Sequence, residues 1–126
     1  MKNIVIANSF TNAEVEGLEV LSNGGENFER AICTDEISTA IEMYPQYNLK
    51  KYINENIEVI TLIETTNFII IPSNITYGYS GEGSRGLVRV LKEFDVLSER
   101  LEEQIYNFKT KSLLIYPSGF EYELYI

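Results

Sequence analysis

A chain of 126 residues and 14.4 kDa has the length of a single domain, 1–126, and can bury a core without disulfide or metal support. Hydrophobic residues at 44% against 23% charged, with nine Tyr and six Phe, exclude a disordered chain. Nineteen acidic against ten basic side chains, a formal charge of −9, argue against a binder of duplex nucleic acid, whose phosphates would be repelled.

The run NIVIA, 3–7, reads as a short strand ending at the polar NSFTN. The opening MKNIVIANSF holds too little apolar sequence for a signal-peptide core, and no later stretch could span a bilayer, so a cytoplasmic protein without membrane contact is expected. In AEVEGLEVL the apolar positions Ala13, Val15, Leu18 and Val20 roughly alternate, which predicts a strand with a bulge at Gly17. The glycine pair in SNGGEN then predicts a hairpin turn into FERAIC. The lone Cys33 in that second run has no partner for a disulfide and reads as a small buried apolar residue.

Thr34 and Asp35 mark a helix start, with Ile37, Ala40, Ile41 and Tyr44 on one face and Pro45 ending it. NLKKYIN, 48–54, predicts a further helical turn with Leu49, Tyr52 and Ile53 inward. IEVITLIE and NFIIIPSN flank ETTN as a hairpin, with Ile69 to Ile71 in the central core. After a glycine-rich loop, Leu87, Val90, Leu91 and Phe94 form an amphipathic stripe from about Ser84, and Ser98 caps another helix with Leu101, Ile105 and Phe108 inward. SLLIYPSGFEYELYI closes the chain as a hairpin about PSG, with Phe120, Tyr122 and Leu124 on one face. The sum is an α+β fold: an antiparallel β-sheet of hairpins packed with about three helices in a single compact domain.

Chemistry concentrates in YGYSGEGSRGL, where Gly78, Gly81, Gly83 and Gly86 fall within nine residues and lead into a helix. The first turn of a helix has unpaired N–H donors and a partial positive charge, so a loop without side-chain bulk lets phosphate oxygens approach. Tyr77 and Tyr79 offer rings for a base or ribose, Ser80 and Ser84 offer hydroxyls, and Arg85 offers a charged clamp. Arg89, one turn further, and Arg100 in the next helix extend the possible set of guanidiniums. Set beside this cradle is a bland reading, in which the glycines only permit a strand-to-helix reversal, Glu82 repels anions, and the arginines pair with neighbouring glutamates. The loop matches neither the P-loop pattern nor a dinucleotide-binding fingerprint.

No catalytic or metal-binding constellation accompanies it. The chain has no histidine, which removes serine–histidine and cysteine–histidine systems and the commonest metal ligand. Glu14, Glu16 and Glu19 lack metal-ligand spacing and read as a solvated acidic face. Asp35 with Glu36, and Glu102 with Glu103, are adjacent in helices and point in different directions. Neither a cofactor nor a metal is therefore expected.

The segments ITYGYSGEGSRGLVRVLKEF and YNFKTKSLLIYPSGFEYEL, together covering roughly the last fifty residues, resemble small phage proteins with an aromatic-Gly-Tyr-x-Gly-x-Gly loop, a leucine-bearing helix and a closing hairpin. Among these the chain is similar to the Thoeris anti-defence family, with Tyr77, Gly78, Tyr79, Gly81 and Gly83 carrying the loop pattern. It departs at Ser84 and Arg85, where similar loops read Pro and a small polar residue. The resemblance implies a non-catalytic, homo-oligomeric sponge for a cyclic ADP-ribose isomer, with aromatic stacking on the base and arginine or loop contacts to the pyrophosphate. Two other readings stand beside it: a small nucleotide-processing enzyme using Glu82 or Arg85, and an acidic protein inhibitor that blocks a basic partner.

Overall fold

The computed structural model describes residues 1–7, 9–53, 59–107 and 112–117, and residues 122–125 as backbone. Its strands are β1 (Asn3–Ala7), β2 (Phe28–Thr34), β3 (Ile60–Thr65), β4 (Phe68–Pro72), β5 (Ser112–Ile115) and β6 (Tyr122–Tyr125), joined in one sheet in the order β1-β4-β3-β2-β5-β6. Its helices are α1 (Thr11–Asn23), α2 (Ile37–Met43), α3 (Glu82–Glu93) and α4 (Glu99–Asn107), with short 3-10 turns at Pro45–Tyr47 and Leu49–Lys51.

Alternation along the strands divides the interior into two layers. Ala31, Cys33, Ile63, Ile70, Leu113 and Ile115 face a core shared with Val15 and Leu18 of α1, Leu87, Val90 and Leu91 of α3, and Leu101 and Ile105 of α4. Ile32, Ile60, Leu62, Ile69 and Ile71 face the opposite side, where Ala40, Tyr44, Leu49 and Ile53 cover them. Helices thus lie on both faces of the sheet, and burial on both sides explains the unbroken apolar run Ile69–Ile71 in β4.

The α+β class, the β3–β4 hairpin, the helix stopped by Pro45 and the buried Cys33 are all present. Ser98 caps α4 as expected, its hydroxyl accepting the Leu101 N–H at 3.1 Å. Five features differ, the first being Tyr52, expected inward and 37% exposed. Residues 11–23 are a helix, because Thr11, Glu14, Val15 and Leu18 form the inward stripe and the apparent alternation includes Val20, which faces solvent. The glycine pair does supply a positive φ, +95° at Gly25, but it closes α1: Gly25 N–H donates to the Ser22 carbonyl and Glu26 N–H to that of Leu21, a Schellman ending. The sheet is not made of hairpins throughout, since β1 and β4 run parallel. Helix α2 begins at Ile37 rather than at Thr34, whose hydroxyl accepts the Glu36 N–H at 3.0 Å in a turn before the helix.

Asn54, Phe108, Lys109, Lys111, Phe120 and the turn at 118–119 lie outside the described residues, as do the side chains of Tyr122 and Leu124. No helix among the described residues is long and apolar enough to cross a membrane.

Candidate functional site

The parallel pair β1 and β4 decides where the glycine loop sits. Each strand is followed by a helix, α1 or α3, that packs on the same face, so both helix N-termini lie beyond the carboxyl ends of two adjacent parallel strands. The two helices approach closely at Gly86, where a Cβ would come within 2.7 Å of Thr11 Cγ2 and 3.4 Å of Val15 Cγ2.

Glu14 ties the two strand-to-helix loops together. Its carboxylate is only 4% exposed and accepts the Ser73 N–H at 3.0 Å, the Ser73 hydroxyl at 2.9 Å, the Asn74 N–H at 2.8 Å and the Ser9 N–H at 3.3 Å. The Asn74 side-chain amide completes the link by donating to the Ser9 carbonyl. Charge-assisted bonds from backbone amides hold such a carboxylate without a cation. The composition-based reading of Glu14 as part of a solvated acidic face is therefore corrected. Only its spacing to Val15 and Leu18 on one helical face could have signalled burial.

From this anchor the loop folds back on itself. Ile75 and Tyr77 turn inward, and the Tyr77 hydroxyl is pushed up from its ordinary pKa by burial, with Cys33 and Asp35 adding to the shift. Gly78 takes φ +92°, a conformation suited to glycine, and donates its N–H to the Ile105 carbonyl of α4 at 2.7 Å. The Tyr79 ring, half exposed, lies against Gly81, where any side chain would collide with it. Gly83 is enclosed by the chain, since a Cβ there would stand 2.5 Å from Thr76 Cγ2 and 2.8 Å from the Asn74 carbonyl. The bareness of Gly83 and Gly86 is therefore used in packing, and Tyr79, Ser80 and Glu82 are the exposed residues between Tyr77 and Gly83.

Helix α3 opens at this point, with Gly81 as N-cap and the Arg85 N–H donating to its carbonyl at 3.0 Å. Ser84, in the first turn, is fully buried, and its Oγ has no hydrogen-bond partner among the described residues. Arg85 is exposed and makes no ion pair among the described residues. The next arginine along α3 is engaged elsewhere. Arg89 turns to α1, donating to Asn12 Oδ1 at 3.0 Å and Glu19 Oε1 at 3.4 Å. Arg100 lies near the start of α4, the helix whose Ile105 carbonyl accepts the Gly78 N–H. The predicted set Tyr77, Gly78, Tyr79, Ser80, Gly81, Gly83, Ser84 and Arg85 is thus one continuous stretch, whereas Arg89 is drawn to α1.

Polar groups elsewhere serve the fold. Thr34 and Ser112 hydroxyls pair at 2.7 Å across β2 and β5. The Cys33 thiol is pushed up to about 12 by burial, which makes it a poor nucleophile. At the opposite end of the sheet Glu64 accepts Lys2 Nζ at 2.7 Å, Arg30 Nε at 2.8 Å and the Tyr44 hydroxyl at 3.0 Å. Among the described residues no group of three or more Cys, Asp or Glu side chains is placed to hold a metal ion. The chain matches no protein-family model, and no curated protein or solved structure is significantly similar to it.

Proposed function

We propose that this chain is a phage anti-defence sponge: a non-catalytic, cytoplasmic protein that binds a cyclic ADP-ribose isomer and withholds it from host TIR-domain signalling. The observation that carries the reading is that Arg85, a first-turn guanidinium of α3 with no ion pair among the described residues, follows closely in sequence on Tyr79, half exposed in the loop that leads into the helix. A pyrophosphate beside the helix N-terminus would gain the Arg85 charge and the helix dipole, and a base would gain the Tyr79 face. The loop's resemblance to those of anti-Thoeris proteins supports the ligand class, and cyclic oligonucleotides are the related ligands to compare.

A sponge works one site per ligand, so it needs dissociation constants near nanomolar, about −12 kcal/mol. An exposed loop supplies too few contacts for that alone, and a homodimer or larger assembly that closes over the nucleotide would supply the rest.

Calorimetric titration with cyclic ADP-ribose isomers, followed by chromatography of the ligand released on heating, tests the reading. Tight binding that Arg85→Ala and Tyr79→Ala each weaken at least about tenfold, roughly 1.4 kcal/mol, with ligand recovered intact, is the expected outcome. Recovery of altered ligand would turn the reading to a nucleotide-processing enzyme. Absence of binding would turn it to the acidic protein inhibitor, for which exposed Glu16 is the acid to replace, because Glu14 is a structural clamp.

A further inference from the structure

Phe10 holds a place in the fold that its side chain does not serve. It is the N-cap of α1, a position that favours serine, threonine, asparagine or aspartate, and its side chain makes no capping bond. Only its backbone takes part, the carbonyl accepting the Glu14 N–H at 3.0 Å. The ring is 85% exposed and so adds nothing to the core. A single exposed apolar residue is ordinary on a protein surface, and what matters is where this one stands.

Two contacts set Phe10 beside the glycine loop. Thr11, the next residue, lies against Gly86, the residue after Arg85, with Thr11 Cγ2 2.7 Å from where a Gly86 Cβ would be. Ser9, the preceding residue, accepts the Asn74 side-chain amide at its carbonyl. The Asn74 carbonyl and the Tyr79 hydroxyl lie 2.8 Å and 2.9 Å from a Cβ placed at Gly83. Phe10 is thus bracketed by one contact that leads to Arg85 and another that leads to Tyr79. The Glu14 carboxylate fixes the two loops to each other through Ser9, Ser73 and Asn74. The corner so formed exposes two aromatic rings and the Arg85 guanidinium.

We infer that Phe10 is a second aromatic contact for the base of the bound nucleotide, offered from the α1 loop as Tyr79 is from the α3 loop. At −9 the chain as a whole repels a pyrophosphate, so a ligand held by one guanidinium needs uncharged contacts, and stacking supplies them. The inference rests on the ligand reading above and adds to it a residue from the other loop.

Calorimetric titration of cyclic ADP-ribose isomers into wild type, Phe10→Ala and Val20→Ala, with a thermal melt of each, is the test. Phe10→Ala should weaken binding about fivefold or more with its melting temperature unchanged. Val20→Ala, on the same helix and 69% exposed, should bind as the wild type does. The chain contains no tryptophan, so Phe10→Trp is its sole indole emitter. It should retain affinity, and its emission should be quenched as the ligand saturates. Wild-type binding that Phe10→Ala leaves unchanged, or Phe10→Trp emission that saturation does not alter, overturns the inference and leaves the ligand reading standing. A wild type that binds none of the isomers defeats the ligand reading and the inference with it. Should Phe10→Ala melt lower, the Phe10→Trp emission decides.

Discussion

The two ends of the sheet treat charge in opposite ways. At the end bearing Lys2, Arg30 and Glu64, the carboxylate is 12% exposed and is met by two cations and a tyrosine hydroxyl. The Arg30 guanidinium also lies over the Tyr44 ring at 4.8 Å. At the glycine-loop end, Glu14 is held by backbone amides and the Ser73 hydroxyl with no cation among the described residues, and Arg85 makes no ion pair there. The first arrangement has committed its charges to the fold. The second has its carboxylate committed and its guanidinium to spare, which is the condition a binding surface needs.

Replacing the two carboxylates breaks this comparison most sharply. Glu14→Ala leaves the Ser73 and Asn74 N–H groups without their acceptor, and at about 1–3 kcal/mol per stranded donor a loss of roughly 2–6 kcal/mol is expected from urea unfolding. Glu64→Gln removes a charge whose partners reach solvent and keeps its shape, so a smaller loss of about 1–2 kcal/mol is expected. The reverse order would show that the ion cluster, not the amide clamp, holds the fold.

Acid sharpens the same contrast. Burial raises the Glu64 pKa, but hydrogen bonds from Lys2, Arg30 and Tyr44 outweigh it and hold the group below its ordinary 4.5. A depressed carboxylate contributes stability above the unfolded value and loses it as pH falls through the folded one. Wild-type stability should therefore drop as pH falls below 4.5, and Glu64→Gln should show a shallower slope over that window. Parallel slopes in the two proteins would contradict this account.

Two glycines give the most easily separated effects. Gly86→Ala drives a Cβ to 2.7 Å from Thr11 Cγ2 and should cost about 1–3 kcal/mol by prising α1 from α3. Gly17→Ala meets nothing within 4 Å inside α1 and should gain about 0.5–1 kcal/mol. Thermal melts of the two variants should move in opposite directions.

The sequence made most strands and later helices legible because their apolar periods are clean, as in Leu87, Val90 and Leu91 against Ile69 to Ile71. It hid α1 because a buried position on that helix is a glutamate, and a carboxylate inside a helix stripe breaks the pattern that composition alone can recognise. The glycine pair announced a positive φ but not which element it ends, since a Schellman ending and a hairpin turn use the same residue. Parallel pairing of β1 with β4 joins segments some sixty residues apart, and no local signal encodes that. The loop from Tyr77 to Arg85 was readable as a unit because it is contiguous. The engagement of Arg89 by α1 depends on how α1 and α3 pack, which spacing does not give.

The most direct test of the central claim is titration of a cyclic ADP-ribose isomer into Arg85→Ala and Arg89→Ala side by side, with a thermal melt of each. Arg85→Ala should lose at least about tenfold in affinity, roughly 1.4 kcal/mol, with its melting temperature unchanged, while Arg89→Ala, whose guanidinium is engaged by Asn12 and Glu19, should bind as the wild type does. Equal affinity in both variants, or loss in Arg89→Ala alone, would contradict the assignment of the glycine loop as the ligand surface.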